Sequence, residues 1–224
     1  MTSSGTTAFQ PNVAEIIEES YERIGVELRS GYQARTARRS LNLLLQDWSN
    51  RQINLWKLIL TSQALVQGTS SYTLAADIID INSVVLRRSS VDTTMNRLSR
   101  SEYQSRPNKT TQSRPSQFWL ERLSTPVLYI YPTPENSTDT VRFYAMERVE
   151  DVTDSQETID IPSRFLPAIH SGLAYMLALK SAVPEVKNQA AILKQLYDAD
   201  LMLALDEDRE RVPFRAVPKI ARVV

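Results

Sequence analysis

Ile161-Pro162-Ser163-Arg164-Phe165-Leu166-Pro167-Ala168-Ile169-His170-Ser171-Gly172-Leu173-Ala174-Tyr175-Met176-Leu177-Ala178 is the stretch on which the fold turns. Helical periodicity resumes here after residues 69–160, which lack it. Pro162 suits the first turn of a helix, where a missing N–H leaves nothing unsatisfied. Phe165, Ile169, Leu173, Met176 and Leu177 fall on one face, and Gly172, Ala174 and Ala178 permit close approach by a neighbouring helix. After Pro184 a further helix carries Val186, Ala190, Leu193, Tyr197, Leu201 and Ala204 inward and runs into the charge cluster Asp206-Glu207-Asp208-Arg209-Glu210-Arg211. Two amphipathic helices alone bury too little apolar surface to offset chain entropy. This pair needs a partner elsewhere in the chain.

The other end supplies one. Behind a polar leader, Asn12 is a candidate cap for a helix whose Val13, Ile16, Ile17, Ile24 and Leu28 recur at three- and four-residue steps. Ser30-Gly31 breaks that pattern. A longer helix is expected to follow, with Leu41, Leu44, Leu45, Trp48, Leu55 and Ile59 in one stripe and its end near Val66-Gln67-Gly68. Arg35, Arg38, Arg39 and Arg51 lie mostly on other faces of this helix.

From Thr69 onward, short runs of β-branched and aromatic residues punctuated by Pro and Asn read as strands: Ser71 to Leu74, Ile81 to Arg87, Gln117 to Glu121, Val127 to Tyr131 and Thr140 to Met146. The last two are expected to form a hairpin about Pro132-Thr133-Pro134-Glu135-Asn136. Between Ser89 and Ser116 a polar surface excursion is predicted, with a helical turn near Ser99 to Tyr103. The expectation is an α+β fold. Residues 1–68 and 161–211 form an antiparallel helical bundle built from N- and C-terminal helix pairs; residues 69–160 form an inserted, mainly antiparallel β domain. Residues 212–224 follow as an extended C-terminal arm.

Composition excludes several chemistries. Lys+Arg and Asp+Glu number 26 each, so no whole-molecule basic field favours nucleic acid. There is no Cys, which removes disulfides, thiolate zinc sites and cysteine nucleophiles. The five glycines, at 5, 25, 31, 68 and 172, never cluster as a phosphate-binding loop requires. His170 is the single histidine and reads as an ordinary helical residue, with no Gly-x-Ser-x-Gly elbow in the chain. No apolar run is long enough to span a bilayer, and Met1-Thr2-Ser3-Ser4-Gly5-Thr6-Thr7 carries no export signal pattern. No catalytic residue, metal site or cofactor is expected.

Weaker signals remain. Glu18-Glu19, Asp77/Asp80 and Glu150-Asp151 have the composition of an acid and base pair, and solvated loop and helix positions explain them as well. Arg35, Arg38 and Arg39 form a possible contact face for DNA phosphates or an acidic protein surface. Trp48, Trp56 and Trp119 read as core or interface anchors. In the tail, Pro213, Phe214, Arg215, Pro218, Lys219, Ile220 and Arg222 have the apolar and basic makeup of a docking strand.

Three blocks carry a family resemblance. The run from Asn12 to Arg23, the run Ala37-Arg38-Arg39-Ser40-Leu41-Asn42-Leu43-Leu44-Leu45-Gln46-Asp47-Trp48 with Asn50 to Trp56, and the pair formed by Leu128 to Pro134 and Ile161 to Ile169 leading into Ala174 to Ala178 together resemble the head-to-tail adaptor proteins of short-tailed bacteriophages. That resemblance implies a connector ring, commonly dodecameric, placed below the portal protein in the virion neck. It would extend the DNA channel, retain packaged DNA through transient non-specific contact, and meet a tail nozzle or tail fibre and spike proteins. Assembly would take place in the host bacterial cytoplasm, without a membrane or cofactor. Some relatives are credited with cell-wall hydrolysis, and no residues here match that activity. Two other readings stay open: a peptidoglycan-cleaving tail protein, and a monomeric DNA-binding module using the three arginines.

Overall fold

The computed structural model of the chain describes residues 5, 9–51, 53 and 55–208. Helix α1, Val13–Glu22, begins with a capping box: the Asn12 side chain accepts from the Glu15 N–H at 2.9 Å, and the Glu15 carboxylate accepts from the Asn12 N–H at 3.0 Å. It buries Val13, Ile16, Ile17 and Tyr21, and Gly25, at φ +69°, turns the chain out of it. The Ser30-Gly31 break proves to be a start: Ser30 caps helix α2, Gly31–Asn50, through a second box with Gln33. Ala37, Leu41, Leu44, Leu45 and Trp48 face inward from α2.

The expected continuation of this helix to Gly68 is not what forms. Helix α2 ends at Asn50, and after a 3-10 turn at Leu55–Lys57 the chain becomes strand β1, Leu58–Ala64. Leu55 and Ile59 kept the helical spacing only by coincidence. Leu58-Ile59-Leu60 is apolar on every face of a helix, and a short continuous apolar run is as compatible with a strand. Tertiary pairing decides, because every residue of β1 finds a register partner in a later strand, from Leu58 with Met146 to Ala64 with Thr140.

The remaining strands are β2 Ser71–Thr73, β3 Ile78–Arg88, β4 Val91–Thr94, β5 Asn96–Arg97, β6 Gln112–Ser113, β7 Gln117–Glu121, β8 Val127–Tyr131, β9 Thr133–Pro134 and β10 Thr140–Glu147. Helix α3, Arg100–Gln104, is the short turn expected near Ser99. The strands form two four-stranded sheets, in the orders β1-β10-β3-β4 and β2-β8-β7-β5, with a small β6-β9 pair beside them. Their inner faces share one core that includes Leu65, Leu86, Phe118, Leu128, Ile130, Val141 and Phe143.

The predicted hairpin of β8 with β10 is therefore wrong in its pairing. These strands lie in opposite sheets and face each other through Leu128, Ile130, Val141 and Phe143. Apolar alternation marks which side of a strand is buried; it does not distinguish a neighbour in the same sheet from one across the core. The true hairpin is β7 with β8, in register from Gln117 with Tyr131 to Glu121 with Val127.

Helix α4, Leu166–Lys180, touches α1, α2 and the last long helix, α6, Ala190–Asp208; the short α5, Pro184–Asn188, lies between α4 and α6. Apolar residues surround α4 on all sides because it is the hub of the helical core. Gly172 sits where α2 and α6 converge: a Cβ there would come within 2.9 Å of the Tyr197 ring and 3.1 Å of Leu44. Trp48 of α2 donates its Nε1–H to the Tyr197 hydroxyl of α6 at 2.8 Å, and Phe165 packs between Trp48 and Trp56 at centroid distances of 5.6 and 4.7 Å. The apolar stripes of both ends of the chain thus meet in one cluster, and the class is α+β as read from the sequence.

Candidate functional site

His170 lies on the side of α4 that meets α1, bordering a cavity of about 570 Å³ with Phe9, Glu15, Glu19 and Arg23. Burial, and after it the Arg23 charge, push the imidazole below its ordinary 6.5. The ring is neutral near pH 7, and its Nδ1 is buried with no hydrogen-bond partner among the described residues. A hydrogen bond to the Ile16 backbone opposes the downward shift.

Two of the three carboxylate pairs separate, while Glu150 and Asp151 line one cavity together. Glu18 is solvated on α1, while Glu19 is bound by Arg23 at 2.9 Å, and that hydrogen bond holds its carboxyl below the usual range. Asp80 accepts from Arg97 at 2.7 Å and from the Ile81 N–H at 2.8 Å. Asp77, Glu150 and Asp151 line a cavity of about 230 Å³ together with Lys57 and Glu147, where the helical and β cores adjoin. Burial, followed by the charge of Asp77, pushes Glu147 up, and Lys57 opposes this. Lys57 is itself tied to Asp160 at 2.5 Å, and this contact raises it. Among the described residues no aromatic ring lines the cavity as a platform for sugar rings. Among the described residues, no group of three His, Asp or Glu is placed to hold a metal ion, and no helix is long and apolar enough to cross a membrane.

The arginine face divides in two. Arg38 turns back to donate to the Thr153 carbonyl, and one turn further on Asn42 donates to the Val152 carbonyl at 3.1 Å and accepts from its N–H at 2.9 Å. Both fasten the segment between β10 and α4 onto α2. Arg35 and Arg39 point away on the exposed side, between Tyr32 and Leu43, and neither forms an ion pair among the described residues. Sequence spacing cannot separate the two roles, since all three arginines fall within one turn and the partner of Arg38 comes from more than a hundred positions away.

Trp119 is occupied by its own chain. Its ring stacks on Tyr129 at 4.8 Å and 18°, and Tyr103 of α3 covers both. Arg106 and Lys109 each lie 5.5 Å from the ring of Tyr131 and Tyr103, respectively. This aromatic cluster pins the excursion between β5 and β7 to the outer face of the sheet. The anticipated docking residues Pro213, Phe214, Arg215, Pro218, Lys219, Ile220 and Arg222 lie outside the described residues.

One surface escaped the sequence reading. Helix α6 buries Ala190, Leu193, Tyr197, Leu201 and Ala204, yet Ile192, Leu196 and Leu203 stand exposed on its other side. Their four- and seven-residue spacing was visible as a second stripe. A family model described as SU10 adaptor protein matches residues 11–217. No curated protein matches the chain at a significant level. The match spans both helical ends and the β layers between them, and on it the chain belongs to the SU10 adaptor protein family, a family of phage structural adaptors.

Proposed function

We propose that this chain is the repeated subunit of a ring in a phage neck, joining the portal protein to the tail and prolonging the DNA channel. A dodecamer is the copy number proposed, with a tail nozzle or tail fibre and spike proteins on the distal side and retention of packaged DNA as the physiological role. The observation that carries this reading is the family match together with large apolar side chains standing exposed on the outer helices, among them Leu43, Ile192 and Leu203. A monomer in water gains nothing by exposing contiguous apolar surface, whereas a subunit awaiting lateral contacts does. A balanced charge of 26 against 26 also suits a conduit, because phosphate contacts accumulate over a ring and would hold DNA in place.

The two cores are proposed as separate domains, the β domain being inserted into the helical one. The tail, Val212 to Val224, is proposed as the arm that docks on the portal. Purified protein is expected to co-sediment with isolated portal rings at a fixed ratio, and a chain ending at Arg211 to lose most of that association. A full-length chain that stays in the supernatant at micromolar concentration would refute the adaptor reading; full association of the truncated chain would refute the arm.

A further inference from the structure

Helices α2 and α6 carry opposite charge although the whole chain carries none. Across Gly31–Asn50 there are three arginines and one acid, Asp47, which is neutralised by Arg51 at 2.8 Å. Across Ala190–Asp208 there are five acids and one base, Lys194, which is held by Asp198 at 3.0 Å. Each helix also presents unpartnered apolar groups on its outward side. On α2 these are Tyr32 and Leu43, 68% and 60% exposed, flanking Arg35 and Arg39. On α6 they are Ile192, Leu196 and Leu203, at 68%, 44% and 71%, forming a narrow stripe bordered by Asp200, Asp206 and Glu207.

The two faces do not meet within one chain. Both helices press their opposite sides onto α4, α2 through Leu44 and the contact of Ser40 with Lys180, α6 through Tyr197 and the approach of Lys194 to Tyr175. We infer that the outward α6 face of one copy packs against the outward α2 face of the next copy. Apolar stripes then interdigitate as ridges into grooves, and Arg35 and Arg39 lie over the acidic border. A contact between two different patches of the same chain is heterologous and repeats head to tail, closing into a ring when the rotation permits. An isologous α6 to α6 contact would instead set Asp200, Asp206 and Glu207 against their own copies, and like charges in apposition select against it.

This interface rests on the reading of the chain as a ring subunit, so its test separates the two. The chain has no Cys, and single cysteines can be placed at will. Leu43→Cys and Leu196→Cys proteins are assembled on portal rings, separately and mixed, and treated with a short bismaleimide while co-sedimentation is recorded in the same tubes. A covalent dimer is expected only in the mixture, and the doubly substituted chain should give a ladder of multimers. Adding Arg35→Glu and Arg39→Glu to the Leu43→Cys protein should cut the yield at least about tenfold. Co-sedimentation without mixed product, dimers from Leu196→Cys alone, or a yield indifferent to charge reversal would overturn the interface while leaving the adaptor reading intact. Failure of the unsubstituted chain to associate with portal rings would overturn both.

Discussion

Replacing Tyr197 by Phe removes one oxygen atom from the centre of the helical core and tests whether the two ends of the chain share it. The Tyr197 hydroxyl accepts the Trp48 Nε1–H at 2.8 Å, and both side chains are buried, so no water can take over the vacated position. Burial pushes the Tyr197 phenol up from its ordinary 10.0, which keeps it neutral through the working pH range. The ring stays, so no cavity forms. The loss is the hydrogen bond and the stranding of a buried indole donor, together about 1–3 kcal/mol. With a urea m-value of about 2 kcal/mol per M, the midpoint should fall by roughly 0.5–1.5 M. The assay is urea unfolding followed by Trp fluorescence and far-ultraviolet dichroism at low protein concentration, because ring assembly would add concentration-dependent stability. Tyr32→Phe, on the exposed side of α2, serves as a control that should leave the midpoint in place. A Tyr197→Phe midpoint unchanged within about 0.1 M, or fluorescence that keeps its midpoint while helix content melts earlier, would refute the shared core.

Asn42→Ala should cost about 1–3 kcal/mol, since it strands both backbone groups of Val152 and loosens the segment joining β10 to α4; proteolysis mapped to residues 148–162 reports the loosening, and unchanged cleavage there contradicts it. His170 sets a pH dependence whose sign follows from its lowered value. The folded state disfavours the imidazolium, so stability falls as pH drops below 6.5, and further loss begins below 4.5 as Glu19 and Glu157, both held low by their hydrogen bonds, must take up protons. His170→Gln should flatten the first stage and keep the second, and urea midpoints at several pH values that decline in parallel for both proteins would exclude this account.

Legibility differed by level. The capped start at Asn12, the inward stripe of α6, and the edges of β7 and β8 were readable because each rests on local periodicity that the tertiary fold also satisfies, whereas the single face read for α4 was too narrow for a helix buried all round. Strand β1 was not, since Leu55 and Ile59 mimic a helical step and only pairing with β10 breaks the tie. The β8 to β10 pairing failed for a related reason: burial pattern is a property of one strand, and sheet order is a property of many. The Arg38 role was invisible because its acceptor, the Thr153 carbonyl, lies 115 positions further along the chain.

The zero net charge also reads differently once placed on the fold. Twenty-six bases against twenty-six acids suggest an evenly neutral surface, yet α2 and α6 concentrate opposite signs on their outward sides. If the α2 face lined a channel, Arg35 and Arg39 would repeat in every copy, and each phosphate neutralised would add about 0.9 to the salt slope of DNA binding. Such a wall would hold DNA rather than let it pass. Mated as inferred to the acidic border of α6 in the next copy, the same arginines would lie between subunits, where charge complementarity would set register and direction of assembly. In the proposed ring, a neutral wall and a directional interface would both follow from one separation of charge.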